Sequence, residues 1–327
     1  MLNISRPRRN RKSEAVRRLV RENILTTNDL IAPLFLKEGK NLIEPIPSMP
    51  GVNRLSVDEL VKECKELYSF GVHCVSLFPA IDDSLKKSNA QEAYNENGLY
   101  QHAIKEVKNA LPEMLVMTDV ALDPYSSDGH DGLVDPKTGE ILNDATLEVL
   151  AKMAIVQAKA GSDILGPSDM MDGRIGFIRD AIDEENFTNV SIMSYAAKYA
   201  SGFYGPFRDA LNSAPKKGDK KTYQMDFANV REALREAYLD EAEGADILMV
   251  KPGIAYLDVI KTIRDNTTLP MAAYNVSGEY AMVKAAHERG WIDGEKVMME
   301  MLMAFKRAGS DMILTYFAKE AAKLIND

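Results

Sequence analysis

The sequence predicts a TIM-type (β/α)8 barrel preceded by an extended N-terminal arm, and three observations carry that prediction. A Gly-x-Asp phrase recurs at Ala160-Gly-Ser-Asp-Ile-Leu165, Glu243-Gly-Ala-Asp-Ile-Leu248 and Ala308-Gly-Ser-Asp-Met-Ile313, with a looser copy at Phe70-Gly-Val-His-Cys-Val75. Glycine there ends a helix in the left-handed conformation, and the apolar run that follows reads as a strand buried on both faces. Eight such runs occur: Leu30 to Leu36, Cys74 to Pro79, Leu115 to Ala121, Ile164 to Pro167, Val190 to Tyr195, Ile247 to Val250, Pro270 to Asn275 and Met312 to Phe317. Helical segments fall between them, among them Val57 to Ser69, Asp144 to Lys159, Asn229 to Glu243 and Glu295 to Arg307. Eight parallel strands with intervening helices in roughly 290 residues suit a closed barrel. A doubly wound sheet is the alternative, but no G-x-G-x-x-G follows the first strand.

Composition sets the class. The 327 residues are 46% apolar and 27% charged, enough for a core and normal for a soluble protein. A net charge of -9 argues against general binding to nucleic acid or to a membrane surface. No apolar run reaches the roughly 18 residues of a membrane span. The N-terminus has no apolar stretch after its charges, so it does not read as a secretory signal. Two cysteines, Cys64 and Cys74, supply neither a disulfide framework nor a thiolate metal cluster. A cytoplasmic protein of a reducing compartment is expected.

Residues 1–28 form the arm, and residues 29–327 the catalytic barrel. Arg6, Arg8, Arg9, Arg11, Lys12, Arg17, Arg18 and Arg21 make the arm basic, while the rest of the chain is acidic. It suits contact with another subunit; a disordered leader is the plain alternative. Few aromatics accompany the charges, which disfavours a nucleic-acid arm. Residues 201–226 form an unusually long connection on the C-terminal side of the fifth barrel strand, where barrel active sites are built. A stretch of that length without secondary structure is uncommon outside lids and disordered loops. Its Arg208, Lys216, Lys217, Lys220 and Lys221 could neutralise acidic substrate groups, or simply be a solvated charged loop.

Two lysines end buried runs, Lys198 in Ser191-Ile-Met-Ser-Tyr-Ala-Ala-Lys198 and Lys251 in Gly244-Ala-Asp-Ile-Leu-Met-Val-Lys-Pro-Gly253. A buried unpaired ammonium tends to neutralise, and a neutral amine attacks ketones. Moving a lysine pKa from about 10.4 to about 7 takes roughly 4 kcal/mol, which desolvation and a second ammonium can supply. Schiff-base chemistry is one reading; ammonium groups snorkelling to the barrel rim is the other. Asp119, Asp123, Asp128 and Asp131 crowd the end of the third strand with His130. Their oxygens suit Mg²⁺ better than Zn²⁺, although aspartate and glycine also do ordinary turn work.

The run Gly244-Ala-Asp-Ile-Leu-Met-Val-Lys-Pro-Gly-Ile-Ala-Tyr256 resembles the active-site signature of the porphobilinogen synthase (5-aminolaevulinate dehydratase) family. The likeness extends through Pro167-Ser-Asp-Met-Met-Asp-Gly173, Ser194-Tyr-Ala-Ala-Lys-Tyr-Ala-Ser201, Tyr274-Asn-Val-Ser-Gly-Glu279 and the Arg6-Pro-Arg-Arg9 arm, and covers nearly the whole chain. It implies condensation of two 5-aminolaevulinate molecules to porphobilinogen with loss of two waters. By the same resemblance Lys251 forms the essential imine. Lys198 lowers the pKa of Lys251 and holds the second substrate as an imine. Ser277 and Tyr316 hold one carboxylate; Arg208, Lys220 and Gln224 hold the other. Asp119 is the implied proton-transfer partner, with Ser168 beside it.

Two departures matter. Zinc-dependent relatives carry three cysteines where this chain has Ala121, Asp123 and Asp131, so the resemblance is to the Asp-rich, zinc-independent branch. Asp123 and Asp131 are then the candidate ligands of any active-site metal. Lys220 and Lys221 stand where the family lid has arginines, and a lysine cannot make the bidentate fork. The resemblance further implies an activating Mg²⁺ at Glu236, no organic cofactor, and a homo-octamer assembled through the arms. A class I aldolase shares barrel and imine lysine, but no Gly-rich phosphate cradle is seen near the last two strands. A non-enzymatic assembly barrel would leave both lysines dispensable.

Overall fold

The eight apolar runs pair side by side, and the first closes on the last. The computed structural model describes residues 4–326. In chain order the strands are β1 (Leu30–Lys37), β2 (Ile43–Pro45), β3 (Asn53–Leu55), β4 (Cys74–Ala80), β5 (Leu115–Val120), β6 (Ile164–Pro167), β7 (Ser191–Lys198), β8 (Ile247–Lys251), β9 (Met271–Asn275) and β10 (Met312–Thr315). Strands β1 and β4 to β10 pair in parallel around the ring, which Leu30↔Ile313 and Ile31↔Leu314 close. This is the (β/α)8 barrel. Its strands are buried on both faces, as β4, β6 and β9 show along almost their whole length.

The Gly-x-Asp phrase has a mechanical explanation. Gly161 and Gly309 are left-handed helix caps (φ 106° and 115°), and Gly244 is left-handed too (φ 100°). The aspartate two residues on then ties its own strand to the one before. Asp163 accepts from Val116 N at 2.8 Å, Asp246 from Ile192 N at 2.7 Å and Asp311 from Met271 N at 2.8 Å. Each carboxylate thus satisfies an N–H at the start of the neighbouring strand, on the face opposite the active site.

Four details differ from expectation. The fifth barrel strand runs on to Lys198, because pairing resumes past an irregularity with Ala197↔Val250 and Lys198↔Lys251. The last strand stops at Thr315, whose hydroxyl turns back to accept from Phe317 N at 3.1 Å. An antiparallel hairpin, β2–β3, lies on the C-terminal half of β1; strands of three residues give no readable periodicity. The 201–226 connection is not structureless: it holds a 3-10 turn (Gly202–Tyr204) and a helix (Gly205–Leu211). Pro206 presets the first turn of that helix, and left-handed Asn212 (φ 49°) ends it.

Within the arm, a 3-10 turn (Pro7–Arg11) and a short helix (Glu14–Leu19) bury none of their residues. Ile4, Leu19 and Ile24 remain exposed. No helix among the described residues is long and apolar enough to cross a membrane.

Candidate active site

Lys198 and Lys251 are Cα partners across the β7–β8 ladder, at the C-terminal ends of both strands. An irregularity between Ser194 and Ala197 sets this register. Arg174 holds that segment from behind, donating to Ser194 Oγ and Tyr195 O, each at 3.3 Å, and to Asp240 at 3.2 and 3.3 Å. Asp119 lies on β5 and Ser168 just beyond β6, so four neighbouring strands converge on one spot.

Lys251 is buried to 5% exposure. Its Nζ sits over the rings of Tyr274 (4.6 Å), Phe207 (4.9 Å), Tyr195 (5.1 Å) and Tyr204 (5.4 Å). Ring faces favour an ammonium, but burial and then the Lys198 charge outweigh them and bring the pKa down to about 7. The rim-snorkelling alternative does not describe this lysine. Asp119 is pushed the other way, up to about 6, by burial that Lys198 and Lys251 only partly offset. Its Oδ1 has no hydrogen-bond partner. An amine and a carboxyl that both titrate near neutrality can exchange protons with a substrate.

Lys198 is anchored differently. Its Nζ donates to Ser168 O and to Asp131 Oδ2, the latter at 3.1 Å. Asp131 is 1% exposed, and its other oxygen accepts from Lys220 Nζ at 2.6 Å. Lys220 also reaches Asp123 at 3.3 Å. Burial opposes the charged forms, but the lysines hold the Asp131 carboxyl well below its usual range, and the two aspartates raise Lys220. Of the acidic cluster at the end of β5, Asp123 and Asp131 are therefore met by the two ammonium groups.

The remaining candidates divide into two groups. Arg208, Lys220 and Gln224 line a cavity of about 30 Å³ together with Asp119, Asp123, Ser168, Lys198 and Lys251. The same three side chains also face an outer hollow of about 740 Å³. Ser277 and Tyr316 stand apart from that cavity. Ser277 Oγ accepts from Phe207 N at 3.0 Å, and Tyr316 shares a hydrogen bond with Tyr274 at 3.1 Å. The Phe207 ring packs on Phe35 and Phe78 at 5.6 and 5.2 Å. Residue 207 of the 201–226 segment thus occupies the space between Lys251 and Ser277.

For metals, no group of three or more His, Cys, Asp or Glu side chains is arranged to hold an ion among the described residues. Glu236 lies on the helix Arg231–Ala242, beside a hollow of about 300 Å³ that Asn143, Asp172 and Glu232 share. Burial and then Asp240 raise its carboxyl pKa. One carboxylate facing a polar hollow fits a largely hydrated Mg²⁺. Cys64 and Cys74 are buried thiols pushed up to about 12 by burial, far from thiolate character.

Sequence reasoning passed over the aromatic enclosure of Lys251, the Arg174–Asp240 support and the contact of His130 with Tyr223. Arg174 in Asp172-Gly-Arg174 looks like an ordinary helix start, and nothing local signals that it is buried.

A barrel with a buried, partly neutralised lysine, a second lysine in register and a titratable carboxyl defines an imine-forming lyase. The delta-aminolevulinic acid dehydratase family model matches residues 4–324. The delta-aminolevulinic acid dehydratase of Bradyrhizobium diazoefficiens is 56% identical over 97% of this chain and 90% of its own. The chloroplastic enzyme of that name from Chlamydomonas reinhardtii is 56% identical over 98% of this chain and 84% of its own. A crystal structure of delta-aminolevulinic acid dehydratase (porphobilinogen synthase) from Toxoplasma gondii ME49, in complex with the reaction product porphobilinogen, superposes with a TM-score of 0.97. That protein is 55% identical, with 99% of this chain and 92% of that one covered. The chain belongs to the delta-aminolevulinic acid dehydratase family.

Proposed function

We propose that this chain condenses two 5-aminolaevulinate molecules into porphobilinogen, with loss of two waters, in tetrapyrrole biosynthesis. The observation that carries the reading is the buried Lys251 amine, brought down to about 7 beside Lys198. The neutral amine of Lys251 adds to the ketone carbon of one substrate. The carbinolamine oxygen leaves as water after protonation, giving the imine. Lys198 takes the second substrate the same way. Loss of a proton from the carbon beside one imine gives an enamine that attacks the other imine carbon. The substrate amine then displaces a lysine to close the ring. The other lysine then leaves from the attacked carbon as the neighbouring carbon loses its proton. A last proton lost from the ring CH2 gives the pyrrole, so both lysines are regenerated and the net loss is two waters.

Asp119, near neutrality and with an unpartnered oxygen, suits the proton transfers, with Ser168 beside it. Arg208, Lys220 and Gln224 suit the carboxylate of the second substrate. Ser277 and Tyr316 suit that of the first once Phe207 has swung away. Residues 201–226 then act as a lid on the barrel of residues 29–327. A cavity of about 30 Å³ has room for little more than one water, so the lid must open to admit substrate.

Members of this family are metal-dependent in general. Mg²⁺ at Glu236 is the form this chain's residues favour; the ion would supply positive charge beside the Arg231–Ala242 helix, which packs behind β7. Asp123 and Asp131 already have ammonium partners, which disfavours a further ion between them. The exposed apolar side chains of the basic arm suit contact with a second copy, in a homo-octamer. A cytoplasmic setting suits the two reduced thiols, although several relatives are chloroplastic.

The test is conversion of 5-aminolaevulinate to porphobilinogen by the purified protein supplied with Mg²⁺. Formation of the pyrrole product supports the reading; its absence from folded protein counts against it.

A further inference from the structure

The loop after β5 is where the lid docks, and one hydrogen-bonded chain crosses that seam. Lys216 N donates to Asp128 O at 3.0 Å. At Gly129 (φ 72°) an added Cβ would lie 2.3 Å from Ala214 O, so the lid backbone rests directly on this glycine. Next, buried His130 meets Lys217 O through Nε2 at 2.9 Å and Tyr223 Oη through Nδ1 at 3.0 Å. Asp131 N donates to the same Tyr223 oxygen at 3.3 Å.

The direction of each bond follows from chemistry. A carbonyl only accepts, so Nε2 carries the proton. With that tautomer Nδ1 is an acceptor, and the Tyr223 hydroxyl donates to it. The phenolic oxygen is then free to accept from Asp131 N–H. The chain therefore runs from Asp131 N–H to Tyr223 O–H to His130 Nδ1, and from His130 Nε2–H to the lid carbonyl of Lys217. Tyr223 also lies in the turn that carries two substrate candidates, since Tyr223 N and Gln224 N both donate to Lys220 O, at 3.3 and 2.8 Å. The backbone fixed at Asp131 belongs to the carboxylate that grips both Lys198 and Lys220.

We propose that His130 and Tyr223 are positioning residues for the second substrate only. Through Asp131 they fix where the Lys198 and Lys220 ammonium groups stand when the lid is down. Lys251 has no member of this chain around it; it is enclosed by Tyr195, Tyr204, Phe207 and Tyr274. The inference rests on the dehydratase reading above.

The test compares the unaltered protein with Tyr223→Phe, His130→Gln and the double variant. Tyr223→Phe removes only the hydroxyl. His130→Gln keeps a donor for Lys217 O but offers Tyr223 no ring acceptor. Two quantities are read: the KM for 5-aminolaevulinate, and the substrate concentration that half-saturates borohydride trapping at Lys251. The expected result is a rise in KM of about tenfold for either single variant, the cost of one hydrogen bond. Trapping at Lys251, read well above pH 7 where its amine is neutral wherever the Lys198 charge stands, stays unchanged, and the double variant is no worse than the singles. An unchanged KM, equal shifts in both quantities, or additive effects would overturn the proposal. Failure of the unaltered protein to be trapped at Lys251 at all would instead sink the dehydratase reading itself.

Discussion

Lys198 and Lys251 stand opposite each other as Cα partners in adjacent parallel strands, yet their surroundings differ. Lys198 is ion-paired with Asp131, and Lys251 is met by four aromatic rings. Lys198 has a carboxylate beside it, while burial and the neighbouring Lys198 charge drive Lys251 towards the neutral amine that attacks a ketone.

Removing the nucleophile tests this contrast. Lys251→Met is expected to lower activity at least about 10⁴-fold, as loss of a covalent nucleophile does elsewhere. Stability should hold or rise slightly, because a buried amine is replaced by a side chain of similar shape. Activity assays paired with urea unfolding measure both.

The pH dependence has a definite sign. The folded pKa of Lys251, about 7, lies below the unfolded value of about 10.4. The unfolded chain therefore binds the extra proton between those values, and stability rises with pH through that window. For catalysis, kcat/KM is expected to rise as pH climbs through about 7 and the amine loses its proton. Lys198→Met removes the neighbouring charge and should move that limb to higher pH, alongside a large loss of rate. A pH–rate profile of the residual activity checks the direction.

Asp131 compensates two buried ammonium groups, so Asp131→Asn leaves both without their carboxylate. Breaking a buried ion pair on one side costs about 3–5 kcal/mol, and a loss of that size is expected in urea unfolding. The folded carboxyl is held below its ordinary value, so its contribution is present above the unfolded pKa of about 3.9. It is lost only as pH falls further, through the folded pKa. In Asp131→Asn, this part of the acid destabilisation should disappear.

Gly129→Ala places a methyl group against the lid carbonyl of Ala214 in a left-handed backbone position. The lid should then dock poorly. Limited proteolysis is expected to cut within residues 212–223 several times faster, while Lys198→Met, whose lid contacts are intact, shows no such change.

If Mg²⁺ binds at Glu236, then Glu236→Gln should weaken it at least about tenfold, the scale of losing a metal's carboxylate support. Titration calorimetry with MgCl₂ alone reads this directly. Heat that persists unchanged in the variant would place the ion elsewhere.

The barrel was legible because its signals are local. Gly161, Gly244 and Gly309 mark helix ends, and the aspartates two positions on fix strand starts. Lys198 and Lys251 stood out because ammonium groups are rare at the end of buried runs. What the chain concealed depends on contacts between distant segments. Asp131 and Lys220 are 89 positions apart, Arg174 and Asp240 66, and His130 and Tyr223 93. No periodicity records such pairs. Ser277 shows the same limit from the other side: its hydroxyl is taken by Phe207 N, a lid contact that one sequence does not reveal.

The most direct test of the central claim is borohydride reduction in the presence of 5-aminolaevulinate, followed by peptide mapping by mass spectrometry. The account predicts a reduced adduct on Lys251 that appears as pH rises through about 7 and is absent from Lys251→Met. A folded protein that turns over substrate with no adduct on Lys251 would contradict it.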